Sequence, residues 1–100
     1  MRPYTVSFSA HADADFDAIL HYIAADSPVA AIHFIDRLEQ RTIDFLSTTP
    51  NAGRRIGDVR YTAFSGYVVV YKVDDSTREV TVILVTEGHR NWQALIEERG

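Results

Sequence analysis

From the N-terminus, polar and apolar positions alternate: Tyr4, Val6 and Phe8 interleave with Thr5 and Ser7. A period-two run of aromatic and β-branched residues predicts a strand. The period then lengthens. Phe16, Ile19, Leu20 and Ile23 fall at i, i+3, i+4 and i+7, the single stripe of an amphipathic helix. Ser9 stands where an N-cap belongs, and Asp13 lies in the first turn, where the helix dipole favours an acid. A helix over Ala10–Ala25 is therefore predicted. Asp26-Ser27-Pro28 ends it and starts another, since Ser27 can cap and Pro28 suits the first helical position. The second helix is expected over Pro28–Ser47, with Ile32, Ile35, Leu38, Phe45 and Leu46 turned inward. The short link makes the pair an antiparallel hairpin, its buried stripe including Phe16, Ile19, Leu20, Ile23, Ile35 and Leu38.

Thr48–Gly53 reads as a loop from its residue chemistry. Gly53 and Gly57 bracket Arg54-Arg55-Ile56, which reads as a flexible connection carrying two arginines. Period two returns from Asp58, with Val59, Tyr61 and Ala63 opposed to Arg60, Thr62 and Phe64. Ser65-Gly66 is a tight hairpin signal. Tyr67–Val73 is the next strand, Asp74–Thr77 a turn, and Glu79–Thr86 a further strand with so little alternation that burial on both faces is expected. Gly88 breaks it, and His89–Arg99 reads as a short closing helix. The order β-α-α-β-β-β-α predicts an α+β fold: a helical hairpin packed on a small, mainly antiparallel sheet, in a single domain over residues 1–100.

Composition narrows the function classes. The chain has 46% hydrophobic and 24% charged residues, ordinary globular usage that excludes a disordered tail. With no cysteine, disulfide scaffolds, thiol catalysis and Cys-type zinc sites are excluded. No apolar run is long enough for a signal peptide core or a membrane span, so a cytoplasmic protein is expected. The net charge of −4 is unevenly spread. Arg54, Arg55, Arg60 and Lys72 face Asp58 alone within residues 54–72, a local charge of +3, whereas residues 1–53 carry −4 and residues 73–100 carry −3. All but one of the ten cations are arginines, suited to planar contacts with phosphate or carboxylate.

Few residues are placed to do chemistry. Asp17 and His21 share a helix face, but two ligands make no site, and neither a metal nor a cofactor is expected. Arg60 falls opposite or near Tyr71 if its strand pairs through Ser65-Gly66, which brings Arg60 and Lys72 toward one end of the sheet. Such cations suit either an edge protected from aggregation or the stabilisation of an anion. Gly88-His89-Arg90-Asn91-Trp92 is the densest polar cluster, at a strand-to-helix junction of the kind that often carries sites. His89 is the imidazole there, while Trp92 is read as an anchor for the last helix.

The whole chain resembles the RelE/ParE superfamily of toxins from type II toxin–antitoxin modules. The likeness runs from the Asp-rich helix at Ala14–Ile23 through Ser27-Pro28-Val29-Ala30-Ala31-Ile32-His33-Phe34-Ile35, Leu46, Pro50 and Gly53-Arg54. It continues with Gly66-Tyr67-Val68-Val69-Val70-Tyr71 and ends where Val82–Val85 runs into Gly88–Trp92, similar to the ending of ParE-type plasmid-stabilisation proteins. The resemblance implies a cognate antitoxin as partner, in a hetero-oligomer or alongside a homodimer. It implies one of two activities. ParE-type members poison DNA gyrase; RelE-type members cut mRNA on the ribosome with arginine, lysine and often a C-terminal tyrosine or histidine. This chain has no tyrosine after Tyr71 and a single lysine, poor equipment for docking on ribosomal RNA. The expectation is a ParE-like gyrase inhibitor with no catalytic group, whose Arg54, Arg55, Arg60 and Arg90 bind partners. The alternatives are an mRNA endonuclease using His89, Arg60 and Lys72, and a non-toxic binding module of the same fold.

Overall fold

The computed structural model describes residues 2–99. Strand β1 (Thr5–Phe8) leads into helices α1 (Ala10–Ala24) and α2 (Pro28–Thr48). A single 3₁₀ turn at Pro50–Ala52 precedes β2 (Arg54–Ile56), β3 (Val59–Phe64), β4 (Tyr67–Asp74), β5 (Glu79–Glu87) and α3 (Gln93–Arg99). The sheet order is β1-β5-β4-β3-β2, antiparallel except for the parallel pair β1–β5. The predicted α+β architecture holds. It gains one short strand, because Arg54–Ile56 is no flexible connection but pairs with Val59–Tyr61 across a turn at Gly57, whose φ is +62°.

The caps lie where the side chains dictate. Ser9 accepts a hydrogen bond from the Ala12 amide at 3.1 Å, and Ser27 from the Ala30 amide at 3.3 Å. Each satisfies an amide that the first helical turn leaves unpaired. Ser65 and Gly66 both take positive φ, +53° and +85°, the geometry that matches the twist of a two-residue hairpin.

The sheet buries both faces of its central strands. On one side the helical hairpin packs Phe16, Ile35, Leu38 and Leu46 against Phe64, Val69, Tyr71, Val80, Val82 and Val85. On the other, Trp92 leads α3 onto Val59, Val68, Val70, Ile83 and Leu84, its ring 4.7 Å from that of Tyr61. Thr42 is wholly buried in α2 but not orphaned, since its hydroxyl donates to the Leu38 carbonyl at 2.7 Å. Two expectations shift. Ile32 is 53% exposed, because the inward stripe of α2 runs through Ala31, Ile35, Leu38, Thr42 and Leu46 and leaves Ile32 outside it. Ile19, Leu20 and Ile23 are only partly buried, since α1 lies along the margin of the core. The closing helix also starts later, at Gln93, after a turn over residues 88–92. No helix among the described residues is long and apolar enough to cross a membrane.

Leu38→Ala removes a side chain that is 2% exposed at the centre of the hairpin–sheet contact, so it should cost about 2–5 kcal/mol. Ile32→Ala should stay within about 0.5 kcal/mol of the parent, as surface changes do. Urea midpoints of the two variants check the rotation of α2; equal midpoints would mean that the inward face is misplaced.

Candidate functional site

The basic segment is organised by one buried phenol. Tyr71 is fully buried in β4, and its hydroxyl donates to the Pro50 carbonyl at 2.7 Å. Burial pushes its phenol above the ordinary tyrosine range, against a smaller opposing pull from Arg60. The chain passes so close above the ring that a Cβ on Gly53 would sit 1.9 Å from the hydroxyl oxygen. Glycine is required there by space, not by φ. Arg60, directly opposite Tyr71 in the ladder, donates from Nη1 to the Gly53 carbonyl at 2.8 Å. Tyr71 and Arg60 together deliver the chain into β2 and so present Arg54 and Arg55 on an exposed edge strand.

Alternation then divides the cations. Arg55 pairs with Arg60 and Arg54 with Tyr61, so Arg55 and Arg60 share the helical-hairpin face while Arg54 lies on the α3 face. Lys72 follows Tyr71 and alternates to the α3 face as well, opposite Thr81. Beside Arg55 and Arg60 a small cavity of about 100 Å³ is completed by Asn51, Asp58, Val73 and Asp75. Asp75 is its hub. Its carboxylate accepts from the Tyr4 hydroxyl at 2.6 Å and from the Asn51 amide at 3.2 Å. Those bonds, Tyr4 first, with Arg60 and Arg78 nearby, hold its carboxyl below the usual range. The Arg78 guanidinium stacks 4.3 Å from the centre of the Tyr4 ring.

The C-terminal junction lies at the other end of the sheet. The Gly88 amide donates to the Gly66 carbonyl at 3.0 Å, which sets His89 and Arg90 beside the β3–β4 turn, both exposed. Tyr67 pairs with Glu87, and Lys72 stands five residues further along β4. At ~3.4 Å per residue this separates the two ends by about 17 Å. The residues considered for RNA cleavage thus do not converge: His89 is at one end, Arg60 and Lys72 toward the other, on opposite faces. Of the arginines expected to bind partners, Arg54, Arg55 and Arg60 are neighbours and Arg90 is remote. His21 bonds the Asp17 backbone carbonyl through Nδ1 at 2.7 Å, not the carboxylate. Sequence reasoning did not find the hub at Tyr4, Asn51 and Asp75, which joins residues up to 71 positions apart. Its sole local trace is the two adjacent acids in the turn.

A carboxyl held below its unfolded value stabilises the fold above the unfolded pKa and ceases to do so as pH falls through the folded one. Asp75→Asn should therefore be less stable than the parent at pH 7, and the gap should close as pH drops below about 4, near the unfolded aspartate value. Denaturation midpoints at pH 7 and pH 3 measure it; an equal gap at both would remove the Asp75 charge from the account.

The family model for the ParE toxin of type II toxin–antitoxin systems, parDE, matches residues 6–92. No curated protein matches the chain. Among solved structures, the chromosomal ParDE system of P. aeruginosa is similar at 19% identity and a TM-score of 0.70, over 84% of this chain and 95% of that one. The RelBE2 toxin–antitoxin complex of Mycobacterium tuberculosis is similar at 19% identity and a TM-score of 0.67, over 90% and 97%. The intact E. coli RelBE complex is similar at 25% identity and a TM-score of 0.59, over 87% and 99%. The fold is shared with both kinds of system, and the sequence match to the family spans most of the chain: this protein belongs to the ParE toxin family of type II toxin–antitoxin systems.

Proposed function

We propose that this chain is the toxin of a plasmid-stabilisation type of module, that it acts in the cytoplasm by binding DNA gyrase, and that a cognate antitoxin neutralises it. The observation that carries this reading is the dispersal of His89, Arg60 and Lys72. General acid–base cleavage of RNA needs its proton donor and its cations within hydrogen-bond reach of one phosphate. Here Glu87, which ends β5 just before the turn that carries His89, stands about 17 Å along the sheet from Lys72, and Arg60 is already engaged with the Gly53 carbonyl. Inhibition by binding needs no such convergence. The family match favours the same side.

His89→Ala should leave growth inhibition largely intact, because the imidazole is exposed and lies outside both apolar cores. Loss of a general acid would instead lower the rate by about 10²–10⁴. Purified toxin should block gyrase supercoiling or trap gyrase-cleaved DNA and leave translated mRNA whole. Cleavage of ribosome-bound mRNA that disappears in His89→Ala would replace this reading with the endonuclease.

The neighbouring ParDE and RelBE structures are toxin–antitoxin systems, and this chain offers an antitoxin an exposed arginine pair on the edge strand β2. A disordered acidic tail that folds on binding suits that edge, by adding a strand and pairing its carboxylates with the guanidinium groups. Arg54→Glu with Arg55→Glu should weaken the complex about two- to tenfold and flatten its salt dependence, as rim charges do. Calorimetric titration at two ionic strengths checks this. Affinity indifferent to both salt and charge reversal would leave apolar packing as the source of binding.

A further inference from the structure

Strand β2 has little of its own to hold it in place. It is three residues long, with Arg54 and Arg55 exposed and Ile56 half-buried. It lies at the edge of the sheet and so pairs on one side only. Its ladder to β3 sets Arg55 directly opposite Arg60, and like charges across a ladder oppose pairing. A strand so short, so exposed and so charged should fray by itself.

The segment before it supplies what the strand lacks. Pro50, which opens the 3₁₀ turn, is fully buried, and its carbonyl takes the Tyr71 hydroxyl at 2.7 Å. The Ala52 amide closes the turn onto the Thr49 carbonyl at 3.1 Å. Gly53 then runs extended, with φ −67° and ψ 156°, and its missing side chain lets the backbone lie on the phenol. Its carbonyl takes Arg60 Nη1 at 2.8 Å, so the Arg60 guanidinium is committed to the residue that precedes β2. Tyr71 itself belongs to β4, the middle strand of the five, and is packed in the hairpin-side core. The phenol is therefore a fixed point, and β2 is hung from it.

A fixed edge matters because of what β2 presents. Successive residues of a strand point to opposite faces, so Arg54 and Arg55 offer one guanidinium to each face of the sheet. A strand laid on β2 meets them with two adjacent residues, one on each face. If β2 frays, that division is lost, and the entropy of ordering the two side chains falls on the binding step.

We infer that Tyr71 is a positioning residue for antitoxin binding: its buried hydroxyl, through the Pro50 carbonyl, holds β2 on the sheet so that Arg54 and Arg55 meet the antitoxin from a fixed edge. The inference rests on the reading above, in which an acidic antitoxin tail pairs with β2. Tyr71 is fully buried and touches no partner; it acts through the backbone that it holds.

The test is titration of the folded full chain with its cognate antitoxin over a range of salt, for the parent, for Tyr71→Phe, and for Arg54→Gln with Arg55→Gln. Tyr71→Phe keeps the ring and removes the hydroxyl. It should raise Kd about two- to fivefold, the scale of the exposed ion pairs that it positions. It should also flatten the dependence of Kd on salt, although it removes no charge; a hydroxyl of purely structural value would leave that slope alone. The amides of residues 54–56 should exchange faster with solvent relative to those of β4 and β5. Where both arginines are already glutamine, Tyr71→Phe should change Kd no further, because groups that act as one unit are not additive. If Tyr71→Phe loses its circular dichroism, Gly53→Ala carries the test, since its Cβ would meet the phenol oxygen and push the turn off the ring without removing a charge. A folded Tyr71→Phe with the parent's Kd and salt slope would overturn the inference. So would a loss of equal size with and without the two arginines. If Arg54→Gln with Arg55→Gln binds as the parent does, the β2 reading itself fails, and the inference with it.

Discussion

The bond from the Tyr71 hydroxyl to the Pro50 carbonyl ties the central sheet to the only covalent passage from the helices into β2. A phenol buried in the middle of a sheet needs a partner, because an unpaired buried hydroxyl costs about 1–3 kcal/mol. It finds one in the 3₁₀ turn. That demand brings the turn down onto the ring, excludes any side chain at residue 53, and turns the Gly53 carbonyl toward Arg60. The exposed guanidinium pair at Arg54 and Arg55 follows from this packing rather than from a preference of the arginines themselves.

The two faces of the sheet are unequal as a result. The hairpin face is sealed by two long helices; beside the buried, bonded hydroxyls of Thr42 and Tyr71, a polar cluster stands at its rim, where Tyr4, Asn51, Asp75 and Arg60 meet. The other face carries only the short α3, anchored by Trp92. Charged groups thus gather on rims and edges, with an apolar sheet between them. This agrees with membership of a family whose solved relatives are toxin–antitoxin systems.

Local features were legible in the sequence. Ser9 and Ser27 cap their helices, Ser65-Gly66 makes its hairpin, and Val82–Val85 is buried on both faces. Each depends on neighbours a few residues away. Pairing through Ser65-Gly66 also put Arg60 opposite or near Tyr71, and the β3–β4 register places it directly opposite. Long-range choices were hidden. Ile32 lies on a wide apolar arc, and only the sheet decides which part of the arc faces inward. Three residues around two glycines carry too weak a pattern to read as a strand; β2 exists because Val59–Tyr61 offers it a ladder. Asp15 and Arg99 are 84 residues apart, and each reads as an ordinary surface charge until the fold joins them. The candidate site was half legible: the cluster of arginines could be seen, but not how the pleat divides them between faces.

The single parallel pairing in the sheet has a consequence for synthesis. Thr5 pairs with Glu79, so β1 is joined to β5, the latest of the described strands to be made. The helical hairpin and the meander from β2 to β5 are local and can form in order as the chain emerges. β1 cannot take its place until some 75 further residues have been made, roughly 4–15 s at ordinary elongation rates. Closing so long a loop is also entropically costly and slow relative to local contacts. During that interval the growing chain shows a strand's worth of unpaired backbone, and the sheet is complete only once β5 has been made.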